Sequence, residues 1–211
     1  MYKKIIFIIC LFFLLVGCSS KNINTLTLEE IIDDTIKSNE STKENINNKG
    51  YKYYLPSEFT LHKDNDYVQE LLSRNAIYYL NIDIISYYYK NSMEIERNQD
   101  DYEYYTFEQD DKSGYLKVTK NNDYFFVELC YNYAIIEVEV EESELRYAVS
   151  RSIAILNSIK YNDLIIEKYI NDNNLESGET IYSIPVPENQ DDKKNVLEYI
   201  EEGEYDSEDN Y

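Results

Sequence analysis

The chain has 211 residues, with 41 Asp and Glu against 20 Lys and Arg, for a formal charge of −21. A surface this acidic excludes nucleic-acid binding through a basic patch and sets the body off from anionic lipid headgroups. Three cysteines, one histidine and five glycines leave little material for a disulfide framework, a histidine-rich metal centre or a glycine-rich phosphate loop.

Lys3 and Lys4 precede an apolar run from Ile5 to Val16. This run is shorter than the ~20 residues that a helix needs to cross a bilayer. A positive flank before a short apolar core is the pattern of a signal peptide, here residues 1–17. Leu15-Val16-Gly17-Cys18, followed by Ser19 and Ser20, resembles the lipobox of bacterial lipoproteins. That resemblance implies cleavage between Gly17 and Cys18 and a diacylglyceryl thioether on Cys18. Two acyl chains anchor stably where one binds only marginally. The expected location is the extracytoplasmic face of the cell membrane, with the membrane a partner through the lipid on Cys18.

Loss of residues 1–17 removes two lysines and no acids, which deepens the charge from −21 to −23. Cys10 leaves with that segment, and Cys130 is then the one unmodified thiol. No intrachain disulfide is available, so the fold stands on its own core. The acidity keeps an exported domain soluble; its sharper alternative is attraction of divalent cations or a basic partner. The 24 tyrosines, with no tryptophan, fit a biased composition or, alternatively, a Tyr-rich binding face.

Residues 18–50 read as the lipidated Cys and a tether, with one helix in "TLEEIIDDTIK". Thr27 and Glu30 have capping-box spacing, and Leu28, Ile31 and Ile32 share a helical face. A flexible tether of this length would span roughly 30 Å end to end.

The domain is expected over 51–161. "YKYYLPSEFTL" predicts a strand, a break at Pro56 and a second strand. "DYVQELLSRN" predicts a short helix. "AIYYLNIDIISYYY" predicts one long strand, with Ala76, Tyr78, Leu80, Ile82 and Ile84 on one face and Asn81 and Asp83 on the other. Four further strands, "YEYYTFEQ", "YLKVTK", "YFFVELCY" and "YAIIEVEV", are joined by "DDKSG", "NND" and Asn132 as antiparallel hairpins. Phe125, Val127, Leu129 and Tyr131 line one face of the third. Ala134, Ile136, Val138 and Val140 line one face of the fourth, with Glu137 and Glu139 toward solvent.

The period then changes to helical in "ESELRYAVSRSIAILNSIK". Leu145, Val149, Ile153, Leu156 and Ile159 form the stripe, filled by Ala148 and Ser152. The expected class is α+β, an antiparallel sheet of five to six strands covered on one face by a long C-terminal helix. Residues 162–187 read as an uncertain extension: "DLIIEKYIND" continues a helix and "ETIYSIPVP" is an edge strand. Residues 188–211 form an acidic tail expected to be disordered.

The order "YYLPSEF", "YYLNIDIISYYY", a meander of hairpins and a helix ending "IAILNSIKYN" resembles Mog1/PsbP-like domains over about Tyr51 to Tyr161. The resemblance implies an accessory or binding role and brings no catalytic residues.

Chemistry-bearing motifs are sparse. His62 has no nucleophile-elbow motif beside it. Cys130 lies on the face opposite the Phe125 stripe and reads as a small, partly buried residue, not a nucleophile. Asp172, Asn174 and Glu176 have the start of a Ca²⁺ loop, but Gly178 is misplaced and Ser183 holds the twelfth position. No spacing singles out a carboxylate pair among the acids. The expected function is therefore a non-catalytic, protein-binding lipoprotein with no catalytic residue, metal or cofactor and a partner of unknown identity. An acidic divalent-cation-binding domain and a hydrolase using a carboxylate pair are the alternatives.

Overall fold

The computed structural model describes residues 22–38, 43–93 and 97–178. Gly17, Cys18, the 1–17 segment, the 179–187 strand and the 188–211 tail lie outside the described residues. In chain order the elements are α1 (Leu28–Lys37), β1 (Ile46–Asn48), β2 (Tyr51–Tyr53), β3 (Thr60–Asn65), β4 (Val68–Ser73), β5 (Ala76–Ile82) and α2 (Ile84–Tyr89). They continue with β6 (Asp101–Gln109), β7 (Lys112–Asn121), β8 (Tyr124–Tyr131), β9 (Ala134–Glu141), α3 (Leu145–Asn157), β10 (Lys160–Tyr161) and α4 (Asp163–Asn173).

The class is α+β, with two antiparallel sheets. The larger has seven strands in the order β3-β4-β5-β9-β8-β7-β6, and the smaller has the order β1-β2-β10. The expectation of five to six strands is corrected here. "VQELLS" is strand β4, not a helix. Its buried residues alternate as Gln69, Leu71 and Ser73, a period of two that a helix could not bury on one side. Two-residue turns close each hairpin of the large sheet. Their first residues, Asp66, Arg74, Asp110, Asn122 and Asn132, all have left-handed φ between 48° and 56°. Tyr133 has φ 61° as well. Asn132-Tyr133 is thus a turn with both central residues left-handed, whose twist matches that of the strands it joins. Strand β9 consequently begins at Ala134.

The long strand expected through Tyr89 ends at Ile82. Asp83 accepts the Ser86 N–H at 2.8 Å and caps α2, and Ile84 and Ile85 are buried by that helix. A capping Asp competes with continued pairing, because its side chain satisfies a backbone N–H that a strand would leave to a neighbour.

Helix α1 starts where its capping box predicts. Thr27 Oγ1 accepts the Glu30 N–H at 3.1 Å, and Glu30 Oε2 accepts the Thr27 N–H at 2.9 Å. Its placement differs from a tether. Leu28, Ile31, Ile32 and Ile36 are buried, and the helix packs on α3. The Tyr105 hydroxyl of β6 donates to Asp33 at 2.9 Å, and Arg146 Nε donates to the Leu26 carbonyl at 2.9 Å. Four buried aliphatic side chains, at roughly 1.5–3 kcal/mol each, outweigh the chain entropy that a free segment would keep.

Helix α3 covers the inner face of the large sheet at β8 and β9. Leu145, Ala148, Val149, Ser152, Ile153 and Leu156 are buried, as the stripe predicts. They share one core with Leu80, Ile82, Val127, Leu129, Ile136 and Val138, all fully buried. The small sheet closes one end of this core. The Tyr53 hydroxyl donates to buried Gln69 Oε1 at 2.7 Å, and the Tyr51 hydroxyl donates to the Asp66 carbonyl at 2.5 Å. Gly50, at φ 91°, lets Ile166 of α4 approach; a Cβ there would sit 2.9 Å from Ile166 Cγ1.

Candidate functional site

The described helices that pack on the large sheet, α1 and α3, both lie against its inner face. The other face is built from the alternate residues of the same strands, and the pairing fixes its rows. One row runs Tyr79, Glu137, Glu128, Lys117, Tyr104; the next runs Asn81, Ile135, Cys130, Tyr115, Thr106. Glu137 and Glu128 therefore stand directly opposite each other on β9 and β8, where Cβ atoms are about 4.5–5.5 Å apart and like charges destabilise.

Glu137 does not point freely to solvent as alternation predicts: it is 7 % exposed. Burial, and then the negative charge of Glu128, push its carboxyl up to about 7. Ionising it in place means surrendering hydration beside an existing charge. Glu128 accepts a hydrogen bond from the Tyr115 hydroxyl at 2.5 Å. Burial first, with the charges of Cys130 and Glu128 behind it, holds the Tyr115 phenol well above its usual range. Burial, reinforced by Glu128 and Asp83, likewise pushes the Cys130 thiol up. Cys130 is fully buried and stays protonated at neutral pH, which removes the thiolate that nucleophilic chemistry needs.

Three buried polar atoms at this place have no hydrogen-bond partner among the described residues: Glu137 Oε2 and both amide atoms of Asn81. Asn81 is 3 % exposed. It lies on β5 diagonal to Glu137, because its cross-strand partner is Ile135. Neither Glu128 nor Glu137 belongs to an ion pair among the described residues. An open cleft of about 550 Å³ is lined by Ser92, Met93, Tyr104, Thr106 and Tyr115, and by none of Asn81, Glu128 and Glu137.

The residues singled out from sequence are not gathered here. His62 sits at the register shift of β3, between Leu61 and Lys63. Asp172 is in the last turn of α4, and Asn174 is its left-handed cap, whose N–H returns to the Asn171 and Ile170 carbonyls. Asp172 and Glu176 are exposed. The segment is a helix terminus rather than a cation loop, and Ser183 lies outside the described residues. Among the described residues no three His, Cys, Asp or Glu side chains converge to hold a metal ion.

Reading strands one at a time missed the opposed pair. The signal was the turn: Glu128 and Glu137 are equidistant from the Asn132-Tyr133 step, so a two-residue hairpin there places them face to face. Chemically, two neighbouring carboxylates, one titrating near neutrality, can exchange a proton or clamp a cation. No family model matches the chain, and no curated protein matches it.

Proposed function

We propose that this chain is a lipid-anchored, extracytoplasmic binding module, held to the membrane through Cys18, that receives a protein partner on the outer face of its seven-stranded sheet. The observation that carries this reading is the Glu137–Glu128 pair. A domain that kept two like charges opposed, one of them buried, with Glu137 Oε2 and the two amide atoms of neighbouring Asn81 unsatisfied among the described residues, would gain stability from apolar replacements. Sites that break local rules in this way are sites held for use. The anchor rests on the lipobox residues Leu15 to Cys18. No helix among the described residues is long and apolar enough to cross a membrane. Antiparallel hairpins covered on one face by α3, with α1 beside it, are what supports the likeness to Mog1/PsbP-like accessory domains.

A second reading, a hydrolase, draws on the same pair. A carboxyl titrating near 7 beside a second carboxylate is suited to general acid–base work.

One experiment tests the binding reading. A photo-crosslinking residue is placed in the membrane-bound chain at Tyr124, exposed on the outer face, or at Arg146, exposed on α3. The binding reading expects one protein to be captured from Tyr124 and not from Arg146, and the capture to fall in Glu137→Gln. Capture from Arg146 alone would overturn it.

A further inference from the structure

We propose that the open cleft is a docking groove for a segment of this same chain, residues 181–187, Ile-Tyr-Ser-Ile-Pro-Val-Pro. That segment lies outside the described residues. The inference goes beyond the partner reading and does not depend on it. The cleft stands on the outer face at β6 and β7: Tyr104, Thr106 and Tyr115 belong to the rows of that face, and Ser92 and Met93, just after α2, complete it.

The first support is where the described chain leaves the body. Asn174 ends α4 in a left-handed cap, and the Leu175 N–H returns to the Ile170 carbonyl at 3.1 Å. The Tyr89 hydroxyl donates to the Leu175 carbonyl at 2.8 Å, and the Ser177 hydroxyl donates to Asn91 Oδ1 at 3.0 Å. Ser177 is thus held beside Asn91, the residue before Ser92. Asn91 to Met93 spans at most about 7 Å, and Gly178 to Thr180 can reach about 10 Å when extended. Gly178, at φ 90°, has nothing within 4 Å of where a Cβ would be, so the exit is unobstructed. Ile181 can therefore meet the cleft with no change in the described residues.

The second support is chemistry. Thr180 to Pro187 carries no charge, and no other run of eight residues after Gly178 is uncharged. Its apolar side chains are offered Met93 and the rings of Tyr104 and Tyr115. Glu108, which also lines the cleft, would repel the acidic residues from Glu188 onward but not this run. A proline fixes its own φ and biases the residue before it to extended backbone. Ile184-Pro185-Val186-Pro187 thus loses little freedom on docking, and extended proline segments are ligands of aromatic-lined grooves. Proline has no N–H, so such a segment presents carbonyls in excess. The exposed hydroxyls of Ser92, Thr106 and Ser113 are donors for them.

The third support is the tether. A cleft of about 550 Å³ suits a few side chains and not a whole protein surface. Suppose the free peptide binds at about 0.1 mM; three tethering residues that hold it at a millimolar effective concentration would keep it docked about ten times as often as free. An unattached peptide of the same chemistry would need that concentration to displace it.

The test reads Met93, the one methionine besides Met1, in the full chain in detergent. Hydrogen peroxide converts an accessible methionine to its sulfoxide, and peptide mass spectrometry gives the rate at Met93. Ile184→Asp with Val186→Asp puts two charges on the segment beside Glu108 and should speed that oxidation about tenfold. Ser207→Asp with Asn210→Asp, the same charge added farther along, should leave the rate unchanged. A free peptide of residues 180–187, added at millimolar concentration to the Ile184→Asp, Val186→Asp chain, should restore the slow rate. Restoration separates an emptied cleft from a damaged fold, because a peptide cannot protect Met93 in a body that has come apart. Equal rates in the three chains, equal acceleration by the two variants, or no restoration by the peptide overturns the proposal.

Discussion

The inner and outer faces of the seven-stranded sheet are made from the same strands but obey different rules. On the inner face of β8 and β9, Phe125, Val127, Leu129, Ile136 and Val138 are at most 1 % exposed and pack under α3. On the outer face, one residue along each strand, Glu128, Cys130 and Glu137 form a polar cluster with unfilled hydrogen bonds. The inner face is consistent at each level from periodicity to packing, whereas the outer face holds like charges together at a cost. That difference marks the inner face as the source of stability and the outer face as the place where stability is given up.

The largest effect expected lies on the inner face. Leu156 is fully buried in the last turn of α3, so Leu156→Ala should cost about 2–5 kcal/mol in denaturant unfolding. A loss below about 0.5 kcal/mol would mean that the stripe carries no core.

Gly114 is the next lever, because it sits where the two faces share a backbone. A Cβ there would lie 2.3 Å from the Cys130 carbonyl oxygen and 2.9 Å from the Tyr131 ring. Backbone cannot move aside as a side chain does, so Gly114→Ala should destabilise by about 1–3 kcal/mol. An unchanged melting temperature would show that the strands relax without strain.

On the outer face the sign reverses. Glu137 has a folded carboxyl at about 7 against 4.5 when unexposed to the fold. The folded state therefore binds more protons between those values, and stability falls as pH rises from about 4.5 to about 7. Glu137→Gln should stabilise by roughly 1–2 kcal/mol at pH 8, after allowance for solvent screening. It should change little at pH 4, where both side chains are neutral. Equal effects at both pH values would break the contrast between the faces.

The smallest effect belongs to α1. Thr27→Ala removes one half of the capping box and should cost about 1 kcal/mol. A change near zero would put α1 back among the free segments.

What could be read from sequence divides along the same line. The β8 and β9 stripes and the α3 stripe were legible, because burial on one side imposes a period that survives in a single chain. The capping box of α1 was legible as a helix start. Its docking was not: only Leu28, Ile31 and Ile32 were noted, and the polar residues after Lys37 suggested a linker. Strand β4 was missed because "VQELL" suits either period over so few residues. The break at Asp83 was missed because apolar Ile84 and Ile85 continue a strand pattern, and only the capping geometry of Asp83 decides otherwise. The site was the least legible part. Glu137 looks like an ordinary outward residue, and its burial depends on neighbours from β5, β7 and β8 that no local window contains.

The account turns on the Glu137 carboxyl, and nuclear magnetic resonance of a chain with ¹³C-labelled glutamate side chains reads it directly. Titrated from pH 3 to pH 9, and assigned by its absence in Glu137→Gln, this carboxyl should have its midpoint near 7. A midpoint near the ordinary 4.5 would contradict the claim that the outer face holds a buried carboxyl pressed against a second acid.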